Sequence, residues 1–474
     1  MGGGAAPTKE TKTVIVLGAS YGGARAAQLL AAELPKEWRL ILIDRNSHMN
    51  HVYVMPRFAV LPGHEYKAFI PLTNVFRDQP PNPKHINLQA HVTSIRPSCI
   101  SITHHDLTKE TIPFDYLIYA LGSHLPTPLD LWGSSSSSIS SIDEARKIRV
   151  LHPMTPTGVK YNGLKVEGIE WMKEKQRIVE EVPSVLIVGG GALGIQFATD
   201  IKSVYPSKQV TLLHSRKQVL PRFDMEMHLE VIKSMNELNV DVILGERLDL
   251  DSIPSEADLT KPTIVRTVTG REISADLLLL CTGQVPNTSM LQTMDPGVIN
   301  PDNKLARVLK TMQLSRPSTT STSKPQNDKS DLEVVLGNLK IGISTNDNTP
   351  AKDVVVPEET VDLEKHTPYP HIFVTGDAAD AFGAIPAGHN AYAQTEVAAR
   401  NIIRLINSEP KEILELERYT PKPPAIKVSL GLNKFVYQIG DKVGTMVGDN
   451  ADLNVASMWP LFGITVEKDE DMRA

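Results

Sequence analysis

The apolar residues of this chain fall into two short patterns that resemble each other. In the first, Thr13-Val-Ile-Val-Leu17 leads through a glycine cluster and a stretch of helical period, ending at about Leu34, into the run Leu40-Ile-Leu-Ile43. In the second, Val185-Leu-Ile-Val188 leads through glycines and a helical stretch to about Val204 into Val210-Thr-Leu-Leu213. Unbroken apolar runs of strand length suit strands covered on both faces. Their alternation with helices predicts parallel sheets and an α/β class. A further helical segment, from about Gly163 to Glu181, precedes the second unit. Gly133 to Ser141 is serine-rich and reads as a loop. The stretch 315–332 is rich in Ser, Thr, Pro, Lys and Asp and reads as a disordered surface insertion. After Pro421-Lys-Pro-Pro424, the positions Ile426, Val428 and Leu430 alternate as short strands do.

Composition narrows the function classes. The length of 474 residues suits about two to four domains, and the 41% hydrophobic and 22% charged fractions are those of a globular chain. A net charge of -6 with no basic block speaks against nucleic-acid binding. The two cysteines, Cys99 and Cys281, lack C-x-x-C spacing, which speaks against a disulfide framework or a cysteine zinc site and fits a reducing, cytoplasmic setting. No apolar run has the length of a membrane span. The chain begins Met1-Gly2, but Ala6 stands where the myristoylation pattern takes Ser or Thr, so a plain flexible tail is expected. His48 and His51 have metal-like spacing without a third ligand, so no metal site is expected.

The candidate chemistry lies in the two glycine clusters. Gly18-Ala-Ser-Tyr-Gly-Gly23 follows the G-x-G-x-x-G pattern with Ser20 in the middle position. Gly18 permits the tight turn, the small Ala19 and Ser20 let a pyrophosphate approach the backbone, and Gly22 and Gly23 open a helix whose N-terminus favours anions. Asp44 ends the next strand, placed to bind a ribose hydroxyl. Gly189-Gly-Gly-Ala-Leu-Gly194 fits the pattern through Gly189, Gly191 and Gly194. Here the expected acid is replaced by His214, followed by Ser215, Arg216 and Lys217. An acid would repel a 2′-phosphate. Its absence beside Arg216 leans toward NADPH, or toward use of both NADPH and NADH. The alternative, that Arg216 points to solvent, stays open.

Four further segments carry a family resemblance. They are Phe114-Asp-Tyr-Leu-Ile-Tyr-Ala-Leu-Gly-Ser123, the run Ala275 to Asn287 with Cys281-Thr-Gly283, Leu305 to Leu314, which looks like the strand before the last of these segments, and Ile372-Phe-Val-Thr-Gly-Asp-Ala-Ala379. In this order the chain resembles the two-dinucleotide-binding flavoproteins of the glutathione-reductase-like superfamily. Lacking a redox cysteine pair, it is most similar to the apoptosis-inducing-factor-like, ferroptosis-suppressor branch. The resemblance implies two Rossmann-like dinucleotide-binding domains and a small C-terminal α+β region. The FAD-binding domain would be split over 11–130 and 296–410, with the NAD(P)H-binding domain at 145–295 and the C-terminal region at 411–474. It implies FAD and NADPH or NADH as cofactors. Asp44 and Arg45 would hold the adenine ribose, and the Val92 backbone would meet adenine. Asp377, after Gly376, would bind the ribityl chain. Gly122 and Gly283, at the ends of the paired strands, would lie against the cofactors. Gly388 and His389 would face the flavin at a helix N-terminus, and Arg57 would face flavin or pyrophosphate unless it lies at the surface.

The implied activity is hydride removal from NAD(P)H and electron delivery to a small-molecule acceptor such as a quinone. The alternatives are a slow redox-signalling protein and an electron donor to a protein partner. Type II NADH dehydrogenases carry paired glutamines in the helix after the Gly-Asp motif, and here only Gln394 remains. Residues 458–462 (Met-Trp-Pro-Leu-Phe) are expected in the core or at a subunit contact; docking on a mitochondrial or lipid-droplet membrane is the other reading.

Overall fold

The computed structural model describes residues 11–76, 82–125, 127–132, 161–254, 262–317, 367–409, 414–448 and 451–473. The serine-rich stretch after Trp132 and most of the expected insertion after Ser315 lie outside them.

Thr13–Leu17 is fully apolar but for its first residue, and it sits between two parallel neighbours. Ile15 stands opposite Ile41 of Arg39–Asp44 on one side and Leu117 of Tyr116–Tyr119 on the other. This triplet is the middle of an eight-stranded sheet ordered Gln313–Leu314, Tyr369–Val374, Tyr116–Tyr119, Thr13–Leu17, Arg39–Asp44, Ile86–Arg96, Cys99–His104, Lys109–Pro113. The last three strands form an antiparallel meander, so one face can meet water, and Ile86–Arg96 alternates accordingly. Tyr369–Val374 comes from far along the chain yet pairs in parallel with Tyr116–Tyr119. The first unit is therefore completed only after the second has been inserted.

The second unit is a four-stranded, all-parallel sheet ordered Asp241–Leu244, Gln209–His214, Ser184–Val188, Leu277–Leu280. Ile187 stands opposite Leu212 and Leu279, repeating the Ile15 arrangement. The expected helix before it spans Lys165–Glu181, and Glu167 accepts from the backbone N–H of Leu164 to close its first turn. The C-terminal region forms the antiparallel strands Ala425–Ser429, Lys434–Ile439 and Lys442–Val447.

Two expectations change. The strand expected over Leu305 to Leu314 is a tight hairpin. Met312 adopts a positive φ of 68°, its N–H donates to Leu309 O, and Val308 bridges back to Leu314. Arg57 does not offer its guanidinium to a cofactor. It is fully buried and donates to Asp200 Oδ2 at 2.8 Å, Gly431 O at 2.7 Å, Ala451 O at 2.9 Å and Ser429 Oγ. Those acceptors belong to the helix Ala192–Val204 and to the C-terminal region, so this ion pair ties three segments together. Removing one partner would leave an uncompensated buried charge, a cost of about 3–5 kcal/mol.

Residues 458–462 lie in the turn Val455–Phe462. Trp459 and Phe462 are buried, and the Trp459 indole N–H donates to Lys67 O, while Leu461 is 40% exposed.

Candidate functional site

At the first glycine turn, the Gly18 N–H donates to Ile43 O at 2.8 Å, which holds the turn against the neighbouring strand. Gly18 has φ +90°, and a Cβ there would lie 2.5 Å from Ala120 O. A Cβ on Gly23 would lie 1.7 Å from Gly18 O, so helix and turn close together only with glycine at both places. Gly22 serves a different contact, because its Cβ would meet Thr395 Oγ1 at 2.8 Å on the helix Gly388–Asn407. The helix Tyr21–Glu33 makes its first backbone bond from Ala24 N–H to Ser20 O. The amides before it are the ones that meet an anion. Asp44 braces the turn: Oδ2 accepts from Ala19 N–H at 2.7 Å, and Oδ1 accepts from Asn46 N–H at 2.8 Å. Burial raises its pKa above the usual carboxylate value despite these bonds.

The second turn repeats the first. The Gly189 N–H donates to Leu213 O at 2.8 Å, and a Cβ on Gly194 would lie 1.9 Å from Gly189 O. A Cβ on Gly191 would meet nothing within 4 Å, so the space beside it is open to a ligand. His214 stands where Asp44 stands in the first unit. Its Nδ1 accepts from Gly190 N–H at 3.0 Å, and its Nε2 lies 3.1 Å from Gln218 O, to which it donates. Both ring nitrogens are thus engaged by the protein. Burial lowers the His214 pKa, so the ring is neutral near pH 7. Arg216 is exposed at the turn.

Arg45 stacks over the Trp132 ring at 4.6 Å, and Trp132 meets Tyr161 edge-on at 4.9 Å. The Trp132 indole N–H and the Tyr161 hydroxyl both donate to Asn46 Oδ1 at 3.0 Å. Neither aromatic ring falls in a motif of the sequence. Val92 is buried at a bulge in Ile86–Arg96. His48 joins this side through Ser47 and the Tyr161 hydroxyl.

Gly122 and Gly283 both have positive φ, at 60° and 66°, in matching places after their strands. The two ends are joined: Asn287 N–H donates to Gly122 O, and Val285–Pro286 pairs with Ser123–His124. The paired ends of the two units therefore meet beside Asp377, whose Oδ2 accepts from Ser123 Oγ at 3.2 Å. Burial raises the Asp377 pKa. Asp377 lines a cavity of about 360 Å³ together with Gly376, Ala387, Asn390, Gln394 and, from the second unit, Arg222. Gln394 Oε1 accepts from Gly376 N–H at 2.8 Å, so this glutamine holds the Gly-Asp loop. Gly388 and His389 begin the helix Gly388–Asn407, and burial lowers the His389 pKa. A glycine turn at a helix N-terminus, a half-buried acid bracing it, and a second half-buried acid at a cavity together fit a bound dinucleotide.

Both cysteines are free; Cys281 is buried and its pKa is raised by that burial. A family model described as pyridine nucleotide-disulphide oxidoreductase matches residues 12–318. Fe-regulated protein 8 of Mycosarcoma maydis is 38% identical over 474 residues, covering 97% of this chain and 97% of the relative. Ferroptosis suppressor protein 1 of Taeniopygia guttata is 24% identical over 467 residues, covering 96% of each. The solved sulfide:quinone oxidoreductase of Aquifex aeolicus superposes with a TM-score of 0.58 at 15% identity, covering 97% of this chain and 94% of that one, a likeness of fold. The chain belongs to the pyridine nucleotide-disulphide oxidoreductase family and is an FAD-dependent, NAD(P)H-using oxidoreductase.

Proposed function

We propose that this protein takes hydride from NADPH, with NADH as an alternative donor, and passes the electrons to a small quinone-class acceptor. The observation that carries the reading is the state of the cysteines. Both are free and one is deeply buried, so no dithiol pair stands ready to receive electrons. The acceptor then comes from outside the chain. The quinone class is supported by the resemblance to the ferroptosis-suppressor branch and by the name of the Aquifex aeolicus fold neighbour. The NADPH preference is supported by His214, which cannot repel a 2′-phosphate, and by the exposed Arg216.

FAD supplies the two-electron chemistry when bound. Gly18, Ala19, Ser20, Gly22 and Gly23 would hold its pyrophosphate, Asp44 and Arg45 its adenosine, and Asp377 its ribityl chain. The N-terminus of Gly388–Asn407 would favour negative charge placed before it, through Gly388 and His389. Gly189, Gly191 and Gly194 would hold the nicotinamide dinucleotide. The reading includes a cytoplasmic location with peripheral contact on mitochondrial or lipid-droplet membranes. Among the described residues no helix is long and apolar enough to cross a membrane.

The test is anaerobic addition of NADPH or NADH to the purified holoprotein, followed by a short-chain quinone. Bleaching of the flavin bands, faster with NADPH, and recovery on adding quinone are expected. Bleaching without recovery would remove the quinone from the reading.

A further inference from the structure

A cluster of ring side chains borders the start of the helix Gly388–Asn407. The Tyr21 hydroxyl lies 2.8 Å from His51 Nδ1. Tyr21 meets Tyr392 edge-on, with centroids 6.2 Å apart at 90°, and His51 lies 6.1 Å from the Tyr53 ring. A Cβ on Gly388 would touch the Tyr21 ring at 3.2 Å, so this ring stands against the start of the helix Gly388–Asn407. Tyr392 reaches Met458 of the C-terminal region, hydroxyl to sulfur at 3.9 Å. His51 is buried, whereas Tyr21, Tyr53, Tyr392 and Met458 are each partly exposed. Four segments thus bring together a half-open cluster of rings with one buried imidazole behind it.

Reduction of a quinone to a quinol by NAD(P)H needs a proton that the nucleotide does not carry. The balance is NAD(P)H + H⁺ + quinone → NAD(P)⁺ + quinol. Two electrons and one hydrogen leave the nicotinamide, and the second quinol hydrogen must come through the protein or from water. We propose that Tyr21 and His51 form the pair that delivers this proton to the acceptor. The inference rests on the quinone reading above.

The local bonding suits a donor. With His51 in its Nδ1–H tautomer, the Tyr21 oxygen accepts from the ring and its own hydrogen is free to point at a ligand. Tyr21 gives that hydrogen to the quinone oxygen, Nδ1–H of His51 replaces it, and Nε2 takes a proton originating in solvent. Burial pulls His51 down to about 4 and pushes the Tyr21 phenol up, so neither holds charge between turnovers. A general acid placed in this way contributes roughly a hundredfold or more to a proton-coupled step.

The test compares the holoprotein with Tyr21→Phe and His51→Asn in three readouts. The visible spectrum reports retained flavin, anaerobic NADPH addition reports the reductive half, and steady-state rates are taken with a short-chain quinone and with ferricyanide, which takes electrons without protons. Equilibrium binding of the quinone to the oxidised protein is measured beside them. Retained flavin, unchanged quinone affinity in Tyr21→Phe, and a quinone-to-ferricyanide rate ratio lowered about a hundredfold in both variants are expected. An unchanged ratio, or equal loss with both acceptors, would overturn the pair's role. If the wild type bleaches with NADPH but reduces ferricyanide alone, the quinone reading fails and the pair falls with it. If it does not bleach, the NAD(P)H reading itself fails.

Discussion

The two glycine turns of this protein share a frame and differ in what closes it. In each, the first glycine N–H donates to the neighbouring strand, Gly18 to Ile43 O and Gly189 to Leu213 O, both at 2.8 Å. In each, the last glycine lies against the carbonyl of the first. The next amide, Ala19 or Gly190, then donates to the residue ending the second strand, which is Asp44 in one turn and His214 in the other. A carboxylate is compact and leaves room for the Ala19 methyl. An imidazole is not, since a Cβ on Gly190 would lie 2.7 Å from the His214 ring. The extra glycine of the second turn therefore accommodates the histidine. The histidine preserves the brace while removing the negative charge, which separates the structural duty of that position from its role in nucleotide choice.

The comparison can be broken most severely at Gly194. Gly194→Ala should abolish bleaching by either nicotinamide nucleotide while flavin content is retained, because the added Cβ falls 1.9 Å from Gly189 O within the second turn. Loss of flavin from that variant would show that the two turns are not independent. Asp44→Ala should act on the first turn alone. With the charge-assisted bond to Ala19 lost, about 2 kcal/mol or roughly thirtyfold in FAD affinity should follow, read from the flavin released on dilution.

His214→Asp sharpens the second half of the comparison. It should keep the brace, restore the charge and move the ratio of kcat/KM for NADPH over NADH toward NADH by about tenfold to a hundredfold. Arg216→Ala should change that ratio by less, about threefold to tenfold, with NADH kinetics unaffected. An equal effect on both nucleotides would place Arg216 outside the phosphate contact.

Acid should bear on both turns, because burial lowers His214 in the second as well. Burial pulls His51 down to about 4 and His48 to about 3, and both follow the first turn. A histidine with a lowered folded pKa contributes stability that is present above its unfolded value, near 6.5, and is lost as pH falls toward its folded value. Between pH 7 and 5 each should cost about 2 kcal/mol. Thermal melts over that range should flatten in His48→Asn. A slope unchanged by that substitution would remove His48 from the account.

Much of the frame was legible from local pattern. Strands buried on both faces need unbroken apolar runs, and a turn against a carbonyl needs glycine, so Thr13–Leu17, Ser184–Val188 and both glycine turns stand out in one dimension. Arg57 was not legible. A lone arginine before an apolar stretch gives no sign that its partners, Asp200, Ser429, Gly431 and Ala451, arrive from other segments. Leu305 to Leu314 has strand composition, yet its bonds close back on themselves at Met312. Trp132 and Tyr161 are separated by a long stretch without periodicity, and only folding brings them to Arg45 and Asn46.

By itself the sequence determined the two repeated units, their glycine turns and the residues Asp44 and His214 that close them, because these are set by hydrogen bonds and steric limits within one strand–turn–helix–strand unit. The tertiary structure decided the pairing of Tyr369–Val374 with Tyr116–Tyr119, the meeting of Asp377 with Ser123 and Arg222 around one cavity, the burial of Arg57, and the contact of Tyr21 with His51. Those depend on which distant surfaces exclude water together, and such partners leave no spacing in the chain.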